Sequence, residues 1–528
     1  MNNRTALLGV VLIATIGMAV AVPLAATETP VVAAPQVHTI YGDVRGVAEG
    51  SVDVFRGIPF ASDVGGAGRW HPPTPPAHWS GVRDATVAGP ICPQPDKRFG
   101  KQVPWVAQFH MSENCLNLSV YTPSLKSAAK APVMVWIHGG NAIFNAGSRY
   151  DGTPLVKHGV VVVTINYRLG RLGLFADPAL TASQPHELLG NYGLMDMIAS
   201  LKWVKQNIAA FGGDPDNVTI FGQSSGGIAV TSLMASPLAK GLFQKAIPQS
   251  GAVAVVGGLR DLSSLEREGE AMGKELGVDR TKDGPEQLRA LPWQAIIEYT
   301  EKHTNNALAP IIDGKIIPRD PVRIFADGQA NTTPTLIGSV SWEQSLLAPF
   351  SFPLTAVLAG VSPAAARAVY GNLDDKTLGG DWFADAQFHA PARFIAAEMA
   401  QHGQPAYVYQ FDHLGSSTRG KQPGAAHSDD VAYLLKLVGV TQAPAPDKED
   451  VALADTMARY WTNFARTGNP NGSGLSKWPQ YTSKDNAVMV LDTSPHVSRN
   501  LLIKRMKYQL QRYQKVLAQP ESTTKSDH

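Results

Sequence analysis

The chain has 528 residues, of which 44% are hydrophobic and 17% charged, and its formal net charge at pH 7 is +2. This apolar fraction is ordinary for a globular protein, so the chain can bury a large core. The near-zero net charge, without a basic run or stripe, argues against nucleic acid as a partner.

The N-terminus has the pattern of an export signal. Arg4 precedes a long uncharged apolar run, after which small residues recur in A-x-A-like order. We therefore predict a cleaved signal peptide over residues 1–26 and a short linker over residues 27–36. The alternative is an uncleaved membrane anchor, because the uncharged run is just long enough to span a bilayer. Pro23 and the repeated small residues favour cleavage, so we expect a periplasmic or secreted protein without stable membrane association.

Cys92 and Cys115 are the only cysteines of the sequence. One intrachain disulfide is therefore possible, and an exported protein can keep it oxidised. Two buried free thiols are the alternative.

A buried-strand pattern over residues 133–137 is followed by His138-Gly139-Gly140-Asn141-Ala142. A second such strand, over residues 218–221, precedes Gly222-Gln223-Ser224-Ser225-Gly226, and apolar residues then recur with helical spacing to Ala235. Strand, tight turn and helix are the context of a nucleophile elbow, in which Ser224 stands at the tip of the turn. The N-terminus of the following helix favours developing negative charge there.

The run over residues 211–226 resembles the active-serine signature of the type B carboxylesterases, the family that includes the cholinesterases. Residues 112–123 resemble the second family signature, SEDCLYLNVYTP, with three departures: Asn114, Asn117 and Ser119. Family-like stretches continue in family order from about residue 37 to about residue 515. The resemblance implies one α/β-hydrolase domain over residues 37–515, followed by a polar tail over residues 516–528. In this fold a mostly parallel, doubly wound sheet has helices on both faces, and large insertions form an active-site gorge. A disulfide at the place of Cys92 and Cys115 is implied as well.

The same resemblance assigns a catalytic triad, in the chain order Ser, acid, His. Ser224 is its nucleophile, not its neighbour Ser225. His427 lies in a segment that resembles the family motif G-x-x-H-G-x-E/D, with Ser428 in place of the second Gly. His413 is the other candidate, because it lies closer to the strand pattern of residues 406–412.

The acid maps to Glu343, because residues 335–345 resemble the family's strand that ends in G-x-N-x-D-E-G. Three positions of that motif depart: Val340, Trp342 and Gln344. Glu343 could instead be a surface residue, in which case Asp313 or Asp430 would be the partner of the histidine. Residues 431–435 are predicted to be helical, with Asp430 as a supporting or helix-capping residue.

The loop after residue 137 resembles the family's H-G-G-G-F loop, which implies an oxyanion hole made by the backbone N–H groups of Gly140, Asn141 and Ser225. Asn141 replaces a glycine and adds a polar side chain to the pocket wall. His138 is expected to shape the loop rather than to act as a base.

Three residues are assigned to the substrate pocket: Trp105, Gln223 and Leu346. Gln223 stands where cholinesterases carry a glutamate, so a charge that attracts cations is missing. Trp105 has the spacing from Cys115 of their choline-stacking tryptophan, although packing is the more common role of such a residue. Uncharged esters are therefore favoured over quaternary-ammonium esters.

The resemblance thus implies a serine carboxylesterase that hydrolyses small uncharged carboxylic esters through an acyl-enzyme on Ser224, without a metal or cofactor. The alternative from another functional class is a catalytically inactive adhesion protein of the same family. Such proteins lose triad residues, whereas Ser224, Glu343 and His427 are all present in this chain.

Overall fold

The computed structural model describes residues 34–521 apart from 99–100, 124, 126–129, 280–282, 304–307, 349, 351 and 439–444. The signal peptide predicted over residues 1–26 lies outside the described residues, as do most of the linker and the end of the tail. The last helix ends at Ala518, so it continues past residue 515. The domain boundaries stay predictions.

Eleven strands of the described chain pair into one sheet. In chain order they are Val47–Glu49, Val52–Pro59, Asn117–Thr122, Ala131–Ile137, Val161–Ile165, Gly213–Gln223, Lys245–Gln249, Thr335–Val340, Ala406–Phe411, Val488–Leu491 and His496–Ser498. Neighbouring strands are parallel in the centre of the sheet and antiparallel at both edges.

The strand order reverses at Ala131–Ile137, which pairs with Val161–Ile165 on one side and with Gly213–Gln223 on the other. The loops that leave the carboxyl ends of two such strands diverge to opposite sides and open a crevice between them. In this protein that crevice lies between the loop over residues 138–142 and the turn at Ser224.

Both faces of the sheet are buried, as the near-continuous apolar strands require. In the strand Ala131–Ile137, Val133 and Val135 belong to one core, whereas Met134 and Trp136 belong to the core on the opposite face. The helices Tyr192–Asn207 and Ser225–Ala235 contribute apolar residues to the first core, and Lys448–Thr467 contributes to the second. This is the mostly parallel, helix-covered sheet that the sequence predicts.

The remaining elements surround this centre. The other α-helices are Thr153–Val156, Gly170–Gly173, Pro178–Ser183, Leu262–Glu275, Gly284–Ala290, Trp293–Lys302, Pro321–Ala326, Leu354–Leu358, Pro363–Tyr370, Asp375–Ala384, Ala390–Gln401 and Ile503–Ala518. A π-helical turn spans Asp385–His389. Short 3₁₀ helices span Gly66–Gly68, Val106–Gln108, Gly147–Arg149, Ile208–Phe211, Pro237–Ala239, Glu343–Leu347 and Asp429–Tyr433. Short strands pair outside the main sheet: Gly42–Arg45 with Gln36–Thr39 on one side and Val82–Asp84 on the other, Lys97–Arg98 with Lys101–Gln102, and Tyr150–Asp151 with Lys436–Leu437.

The helix predicted over residues 431–435 is wrong. The chain forms only the 3₁₀ helix Asp429–Tyr433, and it then enters the strand Lys436–Leu437. Pairing of that strand with Tyr150–Asp151 ends the helical segment early. Local apolar spacing is here overridden by a pairing that is distant in sequence.

Candidate active site

Ser224 occupies the tight turn between the strand Gly213–Gln223 and the helix Ser225–Ala235. Its backbone has φ 60° and ψ −127°, a region that residues with a Cβ atom rarely adopt, so the turn is strained. A Cβ atom at Gly222 or at Gly226 would overlap the carbonyl oxygen of Ile137, which explains both glycines. The backbone N–H of Ser224 donates to the carbonyl of Gln249 at 2.9 Å, which ties the turn to the next strand.

His427 and Glu343 form the strongest side-chain contact near this turn. The Nδ1 of His427 lies 2.6 Å from Oε2 of Glu343, whose side chain is 0% exposed. Because a carboxylate only accepts hydrogen bonds, Nδ1 is the protonated nitrogen and Nε2 carries the lone pair. The other carboxylate oxygen, Oε1, accepts the backbone N–H of Val340 at 2.9 Å.

The backbone beside the imidazole is fixed by the same short helix that carries the acid. The N–H of His427 donates to Oγ of Ser345 at 2.9 Å. The 3₁₀ helix Glu343–Leu347 therefore contacts the ring of His427 through its first residue and the backbone of His427 through its third.

The alternative residues for the triad have other partners. His413 pairs with Asp450 at 2.8 Å, and both side chains are buried. Asp313 accepts from the side chain of Asn191 and from the backbone N–H groups of a turn over residues 315–317. Neither contacts His427 or Glu343 among the hydrogen bonds of the described residues.

Asp430 is buried behind the triad residues instead of capping a helix. Its Oδ2 accepts from the side-chain amide of Gln249 at 2.8 Å and from the hydroxyl of Tyr409 at 3.1 Å, whereas Oδ1 has no partner among the described residues. Burial raises the pKa of Asp430 to about 6, and the charge of Glu343 acts in the same direction.

The loop over residues 138–142 has three successive positive φ angles, at Gly140 (110°), Asn141 (57°) and Ala142 (54°). With this backbone conformation the loop does not continue the hydrogen-bond pattern of the strand before it. Among the described residues, the N–H groups of Gly140, Asn141 and Ser225 donate to no acceptor. The N–H of Ala142, in contrast, donates to Oγ of Ser225 at 3.0 Å, which anchors the loop to the start of the helix.

His138 has a structural environment. It is 1% exposed, its ring stacks on Tyr167 with a centroid distance of 4.3 Å, and its Nδ1 contacts the carbonyl of Gly139 at 2.9 Å. Burial lowers the pKa of His138 to about 4, so the ring is neutral near pH 7.

A cavity of about 260 Å³ opens beside Ser224. Its walls are mostly apolar, and they include Leu174, Leu194, Met197, Ile228, Leu308, Leu346, Phe383 and Phe388. Asn141 also lines it, as predicted from the loop sequence. Arg168 is the one charged residue of the described lining, and its guanidinium is paired with the fully buried carboxylate of Asp196.

Of the three residues assigned to the substrate pocket, Leu346 lines this cavity and the other two do not. Trp105 is 7% exposed, packs against Phe109, and has the guanidinium of Arg149 at 4.8 Å from its ring centroid. Gln223 is 4% exposed and points its side chain at His427 and Ser428.

The amide nitrogen of Gln223 lies 3.1 Å from Nε2 of His427. Its carbonyl oxygen accepts from the hydroxyl of Ser428 at 3.0 Å. Among the described residues, Oγ of Ser224 makes no hydrogen bond. Nε2 of His427 therefore contacts Gln223 and not Ser224.

A second cavity of about 940 Å³ lies on the other side of the helix Glu343–Leu347 and is lined by Leu347, Trp342 and Asp381, among others. The short helix therefore forms a partition between the two cavities. Leu346 faces the cavity that contains Ser224, and Leu347 faces the larger one.

Sequence reasoning did not find the π-helical turn Asp385–His389. Gln387 and Phe388 of this turn line the cavity, and the ring of Phe388 lies 5.5 Å from that of His427. π-Helical turns are rare and are frequently found at functional sites. The segment carries no motif, so the signal for it is absent from the single sequence.

Comparison with known proteins identifies the family. A family model described as "Carboxylesterase family" matches residues 33–360 and 375–511. The chain belongs to the carboxylesterase family.

Relatives of the carboxylesterase family match over nearly the whole chain. A medium-chain fatty acyl-CoA hydrolase precursor of Anas platyrhynchos is 34% identical, over 92% of this chain and 93% of its own. The fumonisin B1 esterase of Sphingopyxis macrogoltabida is 35% identical, over 88% and 87%. The solved structure of a Geobacillus stearothermophilus carboxylesterase has a TM-score of 0.77 at 32% identity, and the match covers 90% of this chain and 99% of that one.

These relationships confirm the predicted α/β-hydrolase fold and the predicted class of enzyme, a carboxylic ester hydrolase. Nothing in them favours the inactive adhesion-type alternative. The predicted disulfide between Cys92 and Cys115 is present.

No group of three or more His, Cys, Asp or Glu side chains among the described residues could hold a metal ion. No described helix combines the length and the apolar character that crossing a bilayer requires. The expectation that the reaction needs no metal or cofactor stays a prediction.

Proposed function

We propose that this carboxylesterase hydrolyses uncharged carboxylic esters with Ser224 as nucleophile, His427 as general base and Glu343 as the acid that orients the histidine. The observation that carries the proposal is the 2.6 Å contact between His427 and Glu343, because it assigns the proton of the neutral ring to Nδ1 and makes Nε2 the basic nitrogen. The strained turn supports Ser224 as the nucleophile, since it holds the serine at the end of a rigid strand.

In the proposed reaction, Nε2 of His427 accepts the proton of Ser224 while Oγ attacks the ester carbonyl. Glu343 stabilises the imidazolium that forms. The free N–H groups of Gly140, Asn141 and Ser225 are suited to the oxyanion, and each such donor contributes roughly 10²-fold or more to the rate. The imidazolium then protonates the leaving alcohol, and water repeats the sequence on the acyl-enzyme.

The lining of the cavity supports uncharged substrates. The single charged residue of the described lining, Arg168, is already paired with Asp196. Trp105 does not line the cavity, is 7% exposed, and already has the guanidinium of Arg149 over its ring. An ester of apolar groups would gain free energy from burial here, whereas an ionic group would lose hydration without gaining a partner.

Labelling with a fluorophosphonate tests the nucleophile. We expect one label per chain, located at Ser224 by peptide mass spectrometry, with loss of p-nitrophenyl ester hydrolysis in proportion to labelling. Ser224→Ala should remove both the label and the activity. The neighbouring serine provides the matched control, because Ser225→Ala keeps Ser224 and should still be labelled. A label on Ser225, or activity in Ser224→Ala, would contradict the proposal.

A pair of esters of equal shape tests the charge preference. 3,3-Dimethylbutyl acetate and acetylcholine differ in a carbon atom that replaces the cationic nitrogen. We expect kcat/KM to be at least about tenfold higher for the uncharged ester. The cationic group of acetylcholine would lose hydration in the cavity without gaining a partner there. Equal values, or a preference for acetylcholine, would show that the cavity accepts cations.

We further propose that the protein is exported. The N-terminal pattern of residues 1–26 and the disulfide between Cys92 and Cys115 support export. N-terminal sequencing of protein from the periplasm or medium should find a start between residues 22 and 35. An intact Met1 in membrane-bound material would favour an anchor instead.

A further inference from the structure

A directional chain of hydrogen bonds passes through the imidazole of His427. Ser428 Oγ donates to Gln223 Oε1 at 3.0 Å, and Gln223 Nε2 lies 3.1 Å from Nε2 of His427. On the far side of the ring, Nδ1 contacts Glu343 at 2.6 Å. Since Nδ1 carries the proton, Nε2 can only accept, and the amide of Gln223 is the donor.

The lone pair that Gln223 occupies is the one that the proposed mechanism needs. A general base must be within hydrogen-bond reach of the proton that it removes. In this structure the acceptor position of Nε2 is filled by an amide that cannot be a nucleophile. Ser224 has no hydrogen bond among the described residues, so base and nucleophile are not yet coupled.

The lone pair of His427 Nε2 determines which end of the amide faces the ring, because only the NH₂ group can donate to it. Ser428 anchors the other end of the amide, since its hydroxyl donates to Oε1. Gln223 is 4% exposed, so few competing water contacts are available to turn the amide around. Ser428 itself has φ 79°, a left-handed backbone conformation.

Gln223 stands where cholinesterases carry a glutamate, and Ser428 replaces a glycine of the family's histidine motif. The structure joins them by one hydrogen bond, although 205 positions separate them in the chain. Gln223 therefore provides the acceptor for the hydroxyl, and Ser428 anchors the oxygen end of the amide.

We propose that Gln223 and Ser428 form a latch that caps Nε2 of His427 in the free enzyme, and that the amide must leave Nε2 before Ser224 can transfer its proton. The inference rests on the proposed function, in which His427 is the base. Gln223 is thus a positioning residue that restrains the ground state, and Ser428 acts through it.

Breaking the latch is expected to accelerate acylation. Gln223→Met keeps the length of the side chain and removes the donor. We expect the acylation rate constant, measured from the p-nitrophenol burst, to rise about two- to tenfold, which is the worth of one net hydrogen bond. The dissociation constant of the ester should change little, because Gln223 does not line the cavity.

Ser428→Ala should also raise the acylation rate constant, by a smaller factor, because the amide loses the hydrogen bond that anchors its oxygen. In the double variant the two effects should not multiply, since both act on the same hydrogen bond. Gln249→Met is the matched control. Gln249 is a buried glutamine at the end of the neighbouring strand, but its amide donates to Asp430. Its effect should multiply with that of Ser428→Ala.

An unchanged or lower acylation rate constant in Gln223→Met, with thermal unfolding showing a folded enzyme, would overturn the latch. If Gln223→Met does not fold, Ser428→Ala decides, because Ser428 is exposed and its replacement leaves the core unchanged. Independent, multiplying effects of the two variants would overturn it as well. Failure of the proposed function is distinguishable, because it would appear as a missing fluorophosphonate label on Ser224 in the wild type.

Discussion

Glu343 contacts His427 with one carboxylate oxygen and the backbone of the preceding strand with the other. Oε2 lies 2.6 Å from Nδ1 of the imidazole, and Oε1 accepts the N–H of Val340 at 2.9 Å. The strand end therefore fixes the orientation of the carboxylate, which in turn fixes that of the ring. This contact joins residues that are 84 positions apart in the chain.

Replacing this carboxylate should remove most of the activity. Glu343→Gln is expected to lower kcat by about 10³- to 10⁴-fold with little change in KM, because a neutral amide cannot stabilise the imidazolium. Glu343→Asp should keep part of the activity. Steady-state kinetics with p-nitrophenyl acetate provide the measurement. Asp313→Asn is the control and should cost less than about tenfold; a larger loss there than in Glu343→Gln would move the acid role to Asp313.

Ser225→Ala should weaken the loop that carries the proposed oxyanion donors. The variant removes the acceptor of the Ala142 N–H, and an unsatisfied amide costs about 1–3 kcal/mol. We expect kcat to fall roughly five- to hundredfold while fluorophosphonate still labels Ser224. Wild-type kcat in this variant would mean that the loop holds its shape without the bond.

The disulfide should stabilise the fold measurably. The bond between Cys92 and Cys115 closes a loop with a sequence separation of 23, for which the chain-entropy model gives about 3 kcal/mol. Replacing both cysteines by serine should lower the free energy of unfolding in urea by about that amount. A reductant should destabilise the wild type and leave the double variant unchanged. Two thiols that are freely alkylated in the native exported protein would contradict this prediction.

Asp430 should make stability fall as pH rises through the weakly acid range. Its pKa is raised from 3.8 to about 6, so between these values the folded state holds a proton that the unfolded state has lost. The contribution of Asp430 is present near pH 4 and is lost by pH 7, a change of roughly 3 kcal/mol. Urea unfolding of the wild type and of Asp430→Asn at both pH values provides the measurement. The difference in the free energy of unfolding between the two proteins should change by this amount from pH 4 to pH 7.

Asp450 provides a control of opposite sign. Burial opposes the effect, but hydrogen bonds from His413 and Ser416 hold the pKa of Asp450 well below its usual value. Its contribution should therefore be present at neutral pH and lost in strong acid. The same sign for Asp430→Asn and Asp450→Asn would contradict both assignments.

The sequence predicts the parts of the site that local geometry dictates. The turn at Ser224 could be predicted, because the strand, the glycines and the helix are contiguous. Gly140 and Asn141 could be placed for the same reason, since a loop after a buried strand leaves at the carboxyl edge of the sheet. Glu343 was predicted from a degraded motif, and the structure brings it to His427.

The rest depends on contacts between distant segments. Phe388 reaches the cavity from a π-helical turn, whose extra residue per turn leaves no periodic mark in a single sequence. The contact between Gln223 and Ser428 likewise appears only when the two loops are side by side. Trp105 illustrates the reverse case, because its spacing suggests a ligand contact while Arg149 covers its ring.

The partition formed by the helix Glu343–Leu347 constrains how this enzyme can diversify. One turn carries the residue that orients the base, an anchor for the backbone of His427 and a side chain of the cavity wall. A mutation that enlarges the cavity at Leu346 is therefore expected to disturb Glu343, because both residues belong to this one short helix. Leu308 also lines this cavity but belongs to a separate apolar cluster, so it does not lie on the helix that carries Glu343. Adaptation to bulkier esters is therefore expected to accumulate at Leu308, with Leu346 held nearly constant among active descendants.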